Sequence, residues 1–362
     1  NMIKVLFESS IFLHQKVGGI SRYITTLNKH LFKYGVSSKI FSPLSINYHL
    51  DNDKNNIYFL KFEYIPRFCR KIFFSINNFL TLIYIFIKKP DILHFSYYNN
   101  SLAKFLNIPY IITVYDLIHE KINFTQKQFT HEQFKKKNIL NKAKHIICIS
   151  NQTKKDLIKI YKVNKNKISV VYLGTEKKKF KIKKKKKFIL FVGSRIEYKN
   201  FEKLAQAFGN SKYLRKNYKI ICFGGNAFKN QELKFFDKLG IKNKIQYLKG
   251  DDSQLEKLYK EASLYISVSL SEGFGLTLLE AMKFKCPVVC SDIPVFREIY
   301  KGGCVYIKPK NITSIQRGVE NILKSSYKQK KLIVKSNKII DRYNWEKCAF
   351  NTSEIYKKVK NS

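Results

Sequence analysis

The chain has 362 residues, 44% of them hydrophobic and 15% aromatic. That is too apolar for a disordered protein and too long for one hydrophobic core, so two globular domains are expected. Lysine and arginine together number 69 against 26 acidic residues, a net charge of +43, which attracts anionic membranes, nucleic acid or phosphorylated substrates.

In chain order, Ile3 to Phe7 is a short apolar run of strand type. Its length and the polar residues after it do not fit a signal peptide, which leads to the expectation of a cytoplasmic protein. Val17-Gly18-Gly19 then opens an amphipathic segment with Ile20, Tyr23, Ile24, Leu27 and Leu31 at helical spacing, a strand, Gly-Gly turn, helix sequence that lets a phosphate approach the backbone. Ser38 to Phe41 and Ile57 to Phe62 read as strands around a polar loop. Residues 70 to 89 form the most apolar segment, with cations at both ends. Its apolar stretch of about 16 residues contains Asn77 and Asn78 and falls short of the roughly 20 needed to span a bilayer, so a buried or interfacial helix is expected. Strands beginning at Pro90 and Pro109 follow, then a strand over 143–150, a helix starting at Ser150, and a strand over 168–172, which is the rhythm of a parallel sheet. Asp116 falls just past the Pro109 strand, where open α/β sheets place ligand-binding residues.

Residues 174–187, with lysines at 177–179 and 183–187 and no apolar periodicity, read as a Lys-rich linker between a domain over 1–173 and one over 188–344. The second domain opens on the strand Phe188 to Val192, a turn carrying Arg195 and Lys199, and a helix from Phe201. Cations at such a turn suit a diphosphate, although with so many lysines a solvated Lys199 is the plain alternative. Strands at 220–223 and 245–248 end at Gly224 and Gly250, in loops suited to border a nucleotide base. Trp345 to Val359 is a last amphipathic helix within residues 345–362. The cysteines are an odd set of seven, and Cys148, Cys222, Cys286 and Cys290 lie in or beside apolar runs. They read as buried thiols of a reducing compartment, with no spacing that suggests a metal site.

The stretch from Ser269 to Met282 carries the most chemistry. Glu272 and Glu280 bracket Gly273, Phe274, Gly275 and Leu276, between an apolar strand and a helix. A strand-to-helix turn offers free backbone N–H groups and the helix dipole to an anion, and carboxylates on either side accept hydroxyls, so a nucleotide sugar fits. The same residues fit a plain helix start with a solvated glutamate.

This stretch resembles the Glu-x7-Glu signature of the retaining GT-B glycosyltransferases of family 4. Four further segments are similar in order: Gly18 to Tyr23, Thr113 to Leu117, Phe191 to Asn200 and Cys286 to Ser291. The resemblance implies an α/β fold of two doubly wound, Rossmann-like parallel-sheet domains facing a cleft, with the C-terminal segment crossing back to the first domain. It further implies transfer of a hexose from a nucleotide diphosphate sugar to a hydroxyl of a glycan or lipid-linked acceptor, with retention, no metal and no separate cofactor. Glu272 would hold sugar hydroxyls and Glu280 the ribose, while Lys199, Arg195 and the amides around Gly19 and Gly273 to Gly275 would stabilise the leaving diphosphate. The family usually has His before Asp116; here Tyr115 stands there, with His119 four residues on. Arg195 stands one place later than the family's arginine, with Ser194 in its slot. Asp51-Asn-Asp53 is similar to the metal-binding Asp-x-Asp of the other large glycosyltransferase fold, but its polar surroundings read as a solvated loop. The subgroup resemblance leans to GDP-mannose over UDP-hexoses. Rival readings are a nucleotide-sugar epimerase of the same fold and a non-specific nucleic-acid-binding protein, the latter resting on scattered charge without a recognition motif. The lysine excess and residues 70–89 add the expectation of peripheral docking on an anionic inner membrane.

Overall fold

The computed structural model describes residues 2–53, 56–66, 68–122, 130–176, 180 and 184–362. The chain divides into two compact units, Asn1–Gly174 with Trp345–Ser362, and Thr175–Asn344. The first is built on β1 (Ile3–Phe7), β2 (Val36–Ile40), β5 (Ile92–Phe95), β6 (Tyr110–Val114), β7 (His145–Cys148) and β8 (Ile168–Val170), with the short pair β3 (Leu44–Ser45) and β4 (Leu60–Lys61) outside the main sheet. The main sheet runs β2-β1-β5-β6-β7-β8, with all pairings parallel. Every residue of β5, β6 and β7 is buried, because helices cover both faces and leave no polar side to alternate with. The Trp345–Lys360 helix packs on this unit through Tyr356, whose hydroxyl meets His94 Nδ1 on β5 at 2.6 Å, while His94 Nε2 meets Thr113 Oγ1 on β6 at 2.8 Å. Burial drives the His94 pKa down to about 3, so this bridge is made by a neutral ring.

The second unit has β9 (Lys186–Val192), β10 (Lys219–Phe223), β11 (Ile245–Leu248), β12 (Ala262–Ser267), β13 (Val288–Ser291) and β14 (Val305–Ile307), again all parallel, in the order β11-β10-β9-β12-β13-β14. This is the doubly wound order, whose direction reverses between β9 and β12. On one sheet face its core packs Ile220, Ile266 and Val289 against Phe208 and Ile315, all fully buried.

Two expectations need correction. Lys186 and Lys187 are the first residues of β9, and the segment before it packs on the second unit: Phe180 meets Phe284 edge-on, and Lys185 donates to the Tyr259 carbonyl. A lysine stem lies readily along apolar surface with its amine outward, so a lysine run is no bar to strand or packed coil. Residues 177–179 and 181–183 lie outside the described residues. The strand expected over 57–62 shrinks to β4 and an isolated Phe41–Ile57 bridge. Residues 70–89 do form one helix, Arg70–Lys88, closed by Lys89 in the left-handed region and by Pro90; Asn77 and Thr81 are buried, Leu80, Tyr84 and Ile85 pack partly buried on the core, and Ile72, Ile76, Phe79, Ile83 and Phe86 are exposed.

Candidate functional site

The reversal point of the second sheet gathers the signature residues. From β9 the chain passes through Gly193, at φ +114°, to a single turn over Glu197–Lys199 and then Asn200, a left-handed residue at φ +56°. Asn200 acts as a clamp: its Nδ2 donates to the Val268 carbonyl after β12 at 3.1 Å and to the Pro309 carbonyl after β14 at 2.7 Å. The Leu270 amide donates to the Tyr198 carbonyl at 2.8 Å, tying the loop after β12 to the turn after β9. Held by these bonds, Lys199 Nζ lies 2.6 Å from Glu272 Oε1, with side chains only 21% and 15% exposed.

Gly275 starts the Leu276–Lys283 helix at φ +84°, and a Cβ there would stand 2.5 Å from Phe296 Cε1. Glycine is required on both counts. Tyr300 Oη donates to the Gly275 carbonyl at 2.7 Å and fixes the turn from beneath. Glu280 lies one turn into the helix on the Leu276 side and accepts from Tyr259 Oη at 3.2 Å. Tyr265 Oη bonds Thr277 Oγ1 at 2.7 Å; burial, reinforced by the Glu272 and Glu280 carboxylates, pushes the Tyr265 phenol upward and keeps it a donor. Phe274 is buried against Tyr300 and Tyr343, so its side chain supports the loop and leaves any ligand contact to its backbone.

The two cations of the turn after β9 have different surroundings. Arg195 Nε lies 2.6 Å from Glu232 Oε1, its Nη2 donates to the Asn226 and Ala227 carbonyls, and its guanidinium rests 4.6 Å from the Phe228 ring centroid. Arg195 is thus tied to the loop after β10, because Glu232 completes its fork geometry, while its Nη1 is buried without a hydrogen-bond partner among the described residues. Gly224 and Gly225, both left-handed, abut the Gly193–Ser194 backbone, and Tyr247 Oη donates to the Gly225 carbonyl. Gly250 follows the edge strand β11, separated from β9 by β10, so the structure groups Gly224 with the signature turn more closely than Gly250.

In the first unit, Gly18 caps the Gly19–Leu31 helix in extended conformation, and a Cβ on Gly19 would meet nothing within 4 Å. Asp116 Oδ1 accepts from the Ile118 amide at 3.1 Å. Tyr115, in the place of the family's histidine, is buried edge-on against Tyr23 with its hydroxyl unpartnered among the described residues, whereas His119 is exposed. Asp51 pairs with Lys61 beside β4. Sequence reasoning missed Glu8. It follows β1 beside β5 and is fully buried, accepting from the Ser10 amide at 2.8 Å, the Ser96 amide at 2.8 Å and the Ser96 hydroxyl at 2.6 Å. It thus fills the reversal point of the first sheet with an internal carboxylate. Its only signal was an acid ending a buried strand. Among the described residues no group of three or more His, Cys, Asp or Glu could hold a metal ion.

Two doubly wound parallel units with this arrangement at the second reversal point are a GT-B fold. Similar solved structures include sucrose-phosphate synthase from Thermosynechococcus elongatus (TM-score 0.78, 16% identity, 99% of each chain) and WaaG, a glycosyltransferase involved in lipopolysaccharide biosynthesis (TM-score 0.75, 14% identity, 98% of this chain and 99% of that one). Residues 17–179 match Glycosyltransferase Family 4 and residues 174–339 match Glycosyl transferases group 1, and the chain belongs to this family. Among its relatives, the O-antigen chain mannosyltransferase RfbU of Salmonella typhimurium is 32% identical over 216 residues, which cover 58% of this chain and 60% of the relative. The uncharacterized glycosyltransferase MJ1607 of Methanocaldococcus jannaschii is 30% identical over 59% of each chain. These matches thus span about 60% of the relatives' length.

Proposed function

We propose that the chain is a retaining, metal-independent glycosyltransferase that moves mannose from GDP-mannose to a hydroxyl of a glycan or lipid-linked acceptor in cell-surface polysaccharide synthesis. The observation that carries this reading is the Lys199–Glu272 pair at the sheet reversal, with Glu280 one turn into the helix that follows. An ammonium has three donors, so Lys199 can keep Glu272 and still take a phosphate oxygen, adding positive charge where the leaving diphosphate develops negative charge. At the start of the Leu276–Lys283 helix the Leu278 amide donates to the Gly275 carbonyl, and the helix dipole with the remaining first-turn amides favours the same anion. Glu272 then accepts sugar hydroxyls and Glu280 the ribose hydroxyls, which fixes the anomeric carbon for attack. Asp116 and the Gly18–Gly19 turn are assigned to the reaction by the family resemblance. Mannose is favoured because RfbU and an Escherichia coli O-antigen chain mannosyltransferase, 27% identical over 173 residues, are both named mannosyltransferases.

The test is a donor panel with chelator present, following nucleotide release and the anomeric configuration of the product. GDP-mannose is expected to turn over fastest, without added metal and with retention. Faster release from UDP-glucose or UDP-N-acetylglucosamine would overturn the donor assignment, and a strict need for divalent metal would overturn the mechanism. Conversion of the donor to an epimer with no acceptor present would replace transfer altogether.

A further inference from the structure

We propose that the Arg70–Lys88 helix is a docking surface for an anionic lipid bilayer, on which it lies flat. The helix is apolar on two sides, one packed on its own unit and one exposed. Its inward side mixes polar and apolar contacts: Asn77 Oδ1 accepts from the Leu44 amide and Asn77 Nδ2 donates to the Leu44 carbonyl, both at 2.9 Å, Asn99 Nδ2 donates to Asn78 Oδ1 at 2.8 Å, and Tyr84 stacks on Phe41 with ring centroids 4.3 Å apart. Its outward side is an apolar stripe, Ile72, Ile76, Phe79, Ile83 and Phe86, spaced four, three, four and three residues apart and therefore on one helical face. Phe79 is 63% exposed and Phe86 81%, and Phe68, two residues before the helix, is 81% exposed. A continuous outward stripe of this kind marks an interaction surface.

Charge selects the occupant. Between Glu63 and Asp91 the sequence has no acidic residue, while Arg70 and Lys71 start the helix and Lys88 and Lys89 end it. A cavity of about 440 Å³ opens beside the helix start, with Leu13, Ile65, Phe73 and Phe74 as apolar wall and Arg70 and Lys71 as cations. A second, of about 470 Å³ at the far end, is lined by Lys4, Lys89 and Lys360 against one acid, Asp91. Apolar side chains between two cationic ends complement acyl chains beneath anionic headgroups. A second copy fits poorly, since antiparallel pairing of two such helices sets Arg70 and Lys71 of one against Lys88 and Lys89 of the other. By length and composition the helix could cross a bilayer. Crossing would break both Asn77 bonds to Leu44 and place Asn77 and Asn78 in hydrocarbon, so the helix stays bound to its unit and presents one face.

The test is co-sedimentation of the full chain with vesicles of phosphatidylcholine alone or with about 30% phosphatidylglycerol, at roughly 50 and 500 mM salt. Phe79→Ser/Phe86→Ser and Lys88→Glu/Lys89→Glu variants are compared, with thermal melts confirming that each is folded. Partitioning onto phosphatidylglycerol vesicles at low salt is expected to exceed that onto neutral vesicles about 10-fold or more and to weaken at high salt. The serine pair should lower it about 10-fold or more, and the glutamate pair should lower it at low salt. Equal partitioning onto both vesicles, no binding at low salt, or serine-pair binding like wild type would overturn the proposal, the last showing bulk charge attraction alone. A wild-type dimer in sedimentation velocity that the serine pair dissolves would assign the stripe to a second copy. The measurement uses no donor, so its outcome is independent of glycosyl transfer.

Discussion

Lys199 Nζ lies 2.6 Å from Glu272 Oε1, joining the turn after β9 to the loop after β12 across the point where the second sheet reverses its order. Each half-buried charge is the other's partner, so removing either leaves an uncompensated charge. Lys199→Ala and Glu272→Ala are each expected to lower kcat about 10²-fold or more. In denaturant melts the double variant should be less destabilised than the sum of the singles, which reports their contact. Wild-type kcat in Glu272→Ala would remove it from the site, and additive stabilities would mean that the pair is not formed in solution.

The glycines separate a structural from a chemical requirement. Gly275→Ala forces a Cβ to 2.5 Å from Phe296 at a left-handed position, so the second unit should lose about 2 kcal/mol or more. Gly19→Ala meets open space at a helix start and should melt at or slightly above the wild-type temperature. If Gly19→Ala keeps its melting temperature but loses kcat/KM, the turn needs room for a ligand; full activity would argue against a phosphate close to it.

Glu280 offers a test by substrate deletion. Glu280→Gln should raise the donor KM about 10-fold with a smaller effect on kcat, since a ribose contact binds ground and transition states alike. Tyr259→Phe, which removes the 3.2 Å bond to Glu280, should shift KM in the same direction but less. A donor lacking the ribose hydroxyls should be indifferent to Glu280→Gln, and an equal loss with that donor would place Glu280 elsewhere.

Acid should destabilise the first unit through His94. Its folded pKa, near 3, lies below the ordinary 6.5, so as pH falls below about 6.5 the unfolded chain takes up a proton that the folded ring refuses. From pH 7 to pH 5 this costs about 2 kcal/mol, and the loss continues until the pH reaches the folded value. His145, held to about 4 chiefly by burial, acts in the same direction. Glu8 opposes them: burial raises its pKa, so the folded form takes up its proton first and gains stability as pH falls through that raised value. Urea melts of His94→Gln should show lower stability at pH 7.5 but a shallower fall to pH 5. A fall equal to wild type would mean that the ring is not buried neutral.

What the sequence by itself determined is the part governed by local chemistry. Apolar runs of four to six residues alternating with 3.6-period segments specify parallel strands and crossover helices, and glycines at strand ends mark the turns of the second unit. Glu272 and Glu280 stand eight residues apart along one turn and helix, so their grouping was legible before any folding. The tertiary structure decided what depends on neighbours distant in the chain. Lys199 meets Glu272 across 73 residues only because β9 and β12 are adjacent, whereas Arg195, four residues before it, is taken by Glu232. Tyr259 beneath Glu280, Asn200 clamping two strand ends and Glu8 filling the first sheet's reversal point are set by strand order, which no local pattern encodes. The Arg70–Lys88 helix shows the limit most directly. Its composition is apolar on more than one face, and the buried Leu44 backbone, which Asn77 pairs, together with Tyr84 stacked on Phe41, holds one face inward while the Ile72 to Phe86 stripe is left exposed.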